Sequence, residues 1–231
     1  MTYRIAILGT GDGNTDQADV PDPIREVAGA GFEPVLIQVP NSTFPGTPEA
    51  RLQVVDAYTA AGIAAEKDGF DAVFINTMGD YGLAELRNAV SIPVTGAGEV
   101  SVRLAMQLGR GFSIVSLWPP RLRFLLEHVL QATGTADDCH GLHFMSQDQD
   151  LETMGEEGNA ISQMQACQYV PMQQVIAKCR DVLSHEDTDV LVLGCTCMAG
   201  MGPILKAEGL SVIEPMRAGY LATELLLRVS A

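Results

Sequence analysis

The sequence predicts an α/β protein of two similar lobes, each a parallel sheet flanked by helices, related by a pseudo-twofold axis. Three observations predict it. Strand-like and helix-like segments alternate almost throughout the 231 residues, the pattern of repeated βαβ units. Two apolar runs, 71–76 and 189–194, begin at an Asp and end in an abrupt switch to small polar residues, as strands buried on both faces do. The two runs also align without a gap: Asp71 falls on Asp189, Thr77 on Cys195, and 92–95 on 210–213. An internal duplication follows, with lobe 1 formed by 1–97 plus 214–231 and lobe 2 by 98–213.

In chain order, strands are expected near 3–8, 34–39, 71–76, 92–95, 111–117, 140–144, 189–194 and 210–214. Helices are expected at 21–30, 48–68, 80–90, 98–109, 120–132, 160–184, 199–208 and 215–229. Pro23, Pro48, Pro119, Pro120 and Pro171 stand near helix starts, where a missing N–H costs little. Gly31, Gly69, Gly109 and Gly209 stand where a helix gives way to the next strand. By the duplication, the helix at 98–109 leaves lobe 1 and its counterpart at 215–229 returns to it. The acidic stretch 146–158 has no counterpart in the other half and reads as a surface loop. Its carboxylates lack the glycine turn and terminal glutamate of a calcium loop.

Composition narrows the function. A formal charge of −15 argues against nucleic acid and anionic membranes as partners. No apolar run approaches the roughly 18 residues that span a bilayer. The first residues turn polar too soon for a secretory signal and read as a strand, so the expected location is cytoplasmic and the expected partner a small molecule. Five cysteines, odd in number and irregularly spaced, read as reduced thiols rather than a disulfide framework. Cys167 and Cys179 fall on helix-like segments and read as packing residues. His128, His140, His143 and His185 avoid the expected strand ends and receive no role.

Open parallel sheets bind ligands at the carboxyl ends of their strands. The site is therefore expected between the lobes, at the matched ends carrying Thr77 and Cys195. A thiol at the start of the helix expected from 199 feels partial positive charge and free N–H groups, which bring its pKa toward neutral. Such a thiol can take a proton or return one, and the N–H groups of Thr196 and Cys197 can hold a carboxylate or enolate oxygen. The alternative is an inert buried cysteine. The Thr77 hydroxyl, a weak acid and poor base, suits substrate orientation, donation to an oxyanion or proton relay; the alternative is a cap on the helix at 80–90. Asn76 binds a carboxylate or closes its own turn.

Cys197 reads as first-turn packing, because a disulfide to Cys195 would be strained and a lone C-x-C pair does not define a metal site. The glycine-rich loop 9–15 lacks both the dinucleotide fingerprint and the lysine of a phosphate loop. Its place at a strand end makes Thr10, Asn14 and Thr15 candidates for substrate contact, with Ser116 at the equivalent place in lobe 2. Trp118 either walls the pocket or packs.

The motifs Gly79-Asp80-Tyr81-Gly82, Pro93-Val94-Thr95-Gly96-Ala97-Gly98-Glu99, Phe112-Ser113-Ile114-Val115-Ser116 and Val192-Leu193-Gly194-Cys195 resemble the hydantoin racemase branch of the aspartate/glutamate/hydantoin racemase superfamily. Leu193-Gly194-Cys195-Thr196 is also similar to the signature of glutamate and aspartate racemases. The resemblance covers nearly the whole length. It implies two α/β lobes with the active site between them, no cofactor, and two opposed thiols that remove and return an α-proton; the spacing of Cys and His residues itself suggests no metal site. Cys195 matches the second thiol, and the first falls on Thr77.

The superfamily also looks to include racemases with Thr opposite Cys, arylmalonate-type decarboxylases with only the second thiol, and maleate isomerases with both. The resemblance thus implies a cofactor-independent racemase or epimerase of an amino acid or hydantoin-like derivative. Cys195 and Thr77 would be catalytic, and the N–H groups of Met78, Gly79, Thr196 and Cys197 would steady the enolate. The alternative is an arylmalonate-type decarboxylase or maleate-type cis–trans isomerase on the same scaffold. A homo-oligomer, most simply a dimer, is compatible with such a chain.

Overall fold

The computed structural model describes residues 2–10, 19–40, 45–109, 111–152, 163 and 166–230. It divides into two units: Met1–Val100 with Met216–Ala231, and Ser101–Pro215. The first holds β1 (Tyr3–Thr10), α1 (Asp22–Arg25), β2 (Phe32–Val39), α2 (Pro48–Lys67), β3 (Ala72–Ile75), α3 (Leu83–Ala89) and β4 (Val94–Gly96). Helix α4 (Ala97–Leu108) carries the chain into the second unit. There follow β5 (Phe112–Ser116), α5 (Arg123–Thr133), β6 (Cys139–Phe144), α6 (Met172–His185), β7 (Val190–Leu193), α7 (Met201–Ala207) and β8 (Val212–Ile213). Helix α8 (Pro215–Ser230) returns to the first.

As the sequence predicts, each unit is a parallel four-stranded sheet with helices, in the orders β2-β1-β3-β4 and β6-β5-β7-β8. The wiring is the same in both. Strand β1 pairs with β3 from Ile5↔Ala72, and β5 with β7 from Phe112↔Val190. Because β3 ends at Ile75 and β7 at Leu193, Thr77 and Cys195 each lie two residues past a strand end. These strands are apolar runs because both faces are covered: every residue of 72–75 and 190–193 is buried.

Local signals set the helix limits. Thr47 caps α2 by accepting the Ala50 N–H at 3.2 Å, and Pro48 opens the helix. Gly69 at φ 79° and Gly209 at φ 77° adopt the left-handed conformation that turns the chain toward the next strand. The expected helix at 21–30 shortens to the four residues of α1. Gly29 is diverted instead: its N–H donates to Glu224 of α8 at 2.8 Å. Residues 148–151, expected as plain loop, form a 3₁₀ turn whose Asp148 accepts the Arg121 N–H at 2.9 Å. Of the expected helix at 160–184, the described helix is Met172–His185. Cys179 is buried on it, whereas Cys167 lies in a turn at φ 57° rather than in a helix. No helix among the described residues is long and apolar enough to cross a membrane.

Helix α8 closes the first sheet through a residue with no side chain. A Cβ at Gly219 would overlap the Phe74 ring of β3 and come within 3.2 Å of the Ala97 Cα. Beside it, the hydroxyls of Thr95 and Thr223 meet in the interior, and Thr223 also donates to the Gly219 carbonyl at 2.9 Å. We expect Gly219→Ala to lower the melting temperature, because overpacking costs about 1–3 kcal/mol. That exceeds the roughly 1 kcal/mol of helix propensity alanine would add. A melting temperature equal to or above that of the parent protein would contradict this packing.

Candidate active site

In the first unit the polar end of β3 is a tight turn. The Asn76 N–H donates to the Leu8 carbonyl at 2.9 Å, so the sheet extends one residue past β3. Thr77, Met78, Gly79, Asp80 and Tyr81 then follow, all buried. Asp80 turns the chain at φ 45°, its N–H donating to the Thr77 carbonyl at 3.3 Å. Gly79 has no room for a side chain, since a Cβ would lie 2.5 Å from the Tyr81 ring. Helix α3 starts later, at Leu83, with Gly82 as its cap and no side-chain capping bond. Thr77 therefore does not cap it. The Thr77 Oγ1 is buried and has no hydrogen-bond partner among the described residues.

A residue that the sequence reading left without a role holds this turn. The Asp80 carboxylate accepts the N–H groups of Gly98 at 2.9 Å and Glu99 at 2.5 Å, at the start of α4. Gly98 must be glycine here, because a Cβ would approach the Met78 carbonyl at 2.5 Å and Asp80 at 2.8 Å. Glu99 in turn pairs with Arg87 of α3 at 2.7 Å. The clue in the sequence is an aspartate between Gly79 and Gly82, followed by Gly96 and Gly98.

Burial pushes the Asp80 carboxyl up to about 7, against the opposing pull of the Gly98 and Glu99 amides. A folded pKa above the unfolded value of about 4 means that the native state holds the proton longer. This contribution to stability is complete below pH of about 4 and is lost as pH rises through about 7. Across that range the parent protein should lose stability relative to Asp80→Asn as pH rises, because only the parent has a carboxyl to ionise there. Parallel curves would show that Asp80 does not titrate there.

In the second unit β7 ends at Leu193, and Gly194 donates its N–H to the Val115 carbonyl at 2.8 Å. A Cβ at Gly194 would lie 2.6 Å from the Ser116 side chain, so these two strand ends meet closely. Ser116 is fully buried, and its Oγ accepts the Trp118 N–H at 3.1 Å. Trp118 itself is buried.

Cys195 is extended (φ −153°, ψ 141°) and caps a 3₁₀ turn at Thr196–Met198; the α-helix expected from 199 begins only at Met201. The Cys197 N–H, expected to hold substrate oxygen, donates to the Cys195 Sγ at 3.0 Å.

Cys195 and Cys197 are joined by a disulfide, so these two are not the free thiols read from the sequence. The extended backbone at Cys195 followed at once by the 3₁₀ turn folds Cys197 back, with Cα atoms 5.1 Å apart. That separation is ordinary for a bonded pair. Cys139, Cys167 and Cys179 are free.

Of the other candidates, Asn14 and Thr15 lie outside the described residues, and Thr10 is the last residue of β1. His143 pairs with Glu186 at 2.9 Å, and Glu186 also accepts from Ser113. Among the described residues no group of His, Cys, Asp and Glu is arranged to hold a metal.

Fold and strand ends together define a duplicated parallel α/β protein with a hydroxyl and a sulfur at equivalent positions of its two units. The profile of the Asp/Glu/Hydantoin racemase family matches residues 24–223, and the chain belongs to that family. A hydantoin racemase of Pseudomonas sp. (strain NS671) is 27% identical over 164 residues, which make up 70% of this chain and 60% of that protein. The match thus spans less than two thirds of that relative's length. Among solved structures, allantoin racemase from Klebsiella pneumoniae matches with a TM-score of 0.78 at 24% identity, covering 99% of this chain and 89% of that one. A mutant of arylmalonate decarboxylase matches with a TM-score of 0.69 at 13% identity, covering 100% of this chain and 94% of that one. At these identities the structural likeness is one of fold.

Proposed function

We propose that the chain is a cofactor-independent racemase or epimerase of an amino acid or hydantoin-like derivative. It would remove and return the proton on a carbon α to a carboxylate or carbonyl. The observation that carries this reading is the matched pair of strand ends: Cys195 in one unit, and in the other the buried Thr77 hydroxyl, which has no hydrogen-bond partner among the described residues. A buried hydroxyl left unpaired costs about 1–3 kcal/mol, which a bound substrate or water would offset. The family and the hydantoin racemase named above support the reaction class and a hydantoin-like substrate.

In the reduced chain, the Cys197 N–H directed at the Cys195 sulfur stabilises a thiolate. The thiolate takes the α-proton as negative charge moves onto the neighbouring carbonyl oxygen. Return of a proton to the other face inverts the centre. Cys195 serves one face, and Thr77 serves the other directly or through a bound water. The N–H groups of Met78, Gly79 and Thr196 steady the enolate oxygen. Asn76 orients the substrate, as do Thr10, Asn14, Thr15 and Ser116.

Thr77 also favours a second reading, because a hydroxyl is a poorer base than a thiolate. In a decarboxylase, loss of CO₂ creates the enolate and Cys195 alone protonates it. Proton NMR of the reduced protein in D₂O with amino acids, 5-substituted hydantoins and α-substituted malonates separates the two. Loss of the α-proton signal from a hydantoin or amino acid is expected. Carboxyl loss from a malonate without such exchange would select the second reading, and no change in any of the three would overturn both.

A further inference from the structure

We propose that Cys195 and Cys197 form a reversible dithiol–disulfide pair, a modification site that a hydroperoxide closes and a dithiol reductant reopens. The bond closes just past the end of β7, where the extended Cys195 and the 3₁₀ turn at Thr196–Met198 fold Cys197 back onto it. The Cys197 N–H at the Cys195 sulfur favours the thiolate that must attack an oxidant. Both residues are more than nine-tenths buried, Cys195 at 8% exposure and Cys197 at 7%. That admits a small peroxide more readily than a second protein. Cys139, Cys167 and Cys179 are free, with no cysteine bonded to any of them, and burial pushes each thiol upward.

The chemistry balances in two steps. The Cys195 thiolate attacks a peroxide oxygen; an S–O bond forms, the O–O bond breaks, and the leaving oxygen takes a proton to give an alcohol or water. The sulfur is now a sulfenic acid. The Cys197 sulfur then attacks it, the S–S bond forms, the S–O bond breaks, and hydroxide leaves with the Cys197 proton as water. Two sulfurs have each lost one electron, and the peroxide has gained two. A dithiol reductant reverses the result by thiol–disulfide exchange.

The consequence for turnover rests on the proposed role of Cys195; the bond does not. With its sulfur bonded to Cys197, Cys195 has no proton to give and no thiolate to receive one. Oxidation then silences the site while sparing the sulfur from irreversible over-oxidation.

The test uses the full-length protein, first reduced with dithiothreitol, then treated with hydrogen peroxide, alkylated with iodoacetamide and digested with trypsin. The peptide Asp181–Lys206 contains Cys195 and Cys197 and no other cysteine. We expect both cysteines to be alkylated before peroxide and neither after it, with the peptide about 2 Da lighter than its reduced form. Dithiothreitol should restore both alkylation sites. In Cys197→Ser, peroxide should instead oxidise Cys195 to acids that dithiothreitol does not reverse, each sample being compared with its own untreated control. Cys195 oxidised to sulfinic acid in the parent protein, or both thiols still alkylated after peroxide, would overturn the proposal. A disulfide that forms while α-proton exchange continues undiminished would leave the pair standing chemically and sink the acid–base role of Cys195.

Discussion

Cys195→Ser, assayed with a reductant present, is expected to lower α-proton exchange by about 10²–10⁴-fold, the usual range for loss of a positioned acid–base group. A serine hydroxyl is far too weak an acid to supply a nucleophilic anion near neutral pH. Stability should hardly change. Cys195 already caps the 3₁₀ turn by accepting the Cys197 N–H, and serine is a strongly preferred capping residue. Unchanged exchange with an unchanged melting temperature would remove Cys195 from the mechanism, because the fold would then be intact and the chemistry indifferent to the thiol. A large fall in melting temperature would instead mark the residue as structural.

Thr77→Val is expected to move stability and activity in opposite directions. The substitution keeps the branched shape and removes the buried Oγ1 past the end of β3, which has no hydrogen-bond partner among the described residues. Replacing a buried, unsatisfied hydroxyl with a methyl should stabilise the free protein by about 1 kcal/mol, read as a higher melting temperature. Loss of the proton path or oxyanion donor on that face should lower racemisation by about 10–100-fold. A purely structural threonine would give the reverse: lower stability, with activity changing only as the folded fraction changes.

The parts of this account legible in the sequence are those governed by neighbouring residues. The apolar runs at 72–75 and 190–193 are strands because both faces are buried, and the step from Asp71 to Thr77 repeats from Asp189 to Cys195. What escaped depends on partners far away or on backbone direction. The helix expected at 21–30 stops early where the Gly29 N–H meets Glu224, a residue 195 positions on. Asp80 reads locally as a turn residue; its importance comes from two amides 18 and 19 residues later. The bond between Cys195 and Cys197 depends on an extended residue followed at once by a 3₁₀ turn. Spacing alone gives no sign of that geometry.

The most direct test of the central claim follows both faces of one carbon together. A single enantiomer of a 5-substituted hydantoin is incubated with the reduced protein in D₂O, with Cys195→Ser and buffer alone as controls. Optical rotation and the C5 proton signal are recorded in parallel. The account predicts that rotation decays to zero above the control rate and that deuterium appears at C5 of the inverted enantiomer. Loss of the C5 proton with rotation retained would show that Cys195 works on one face without help from Thr77, contradicting racemisation by this pair.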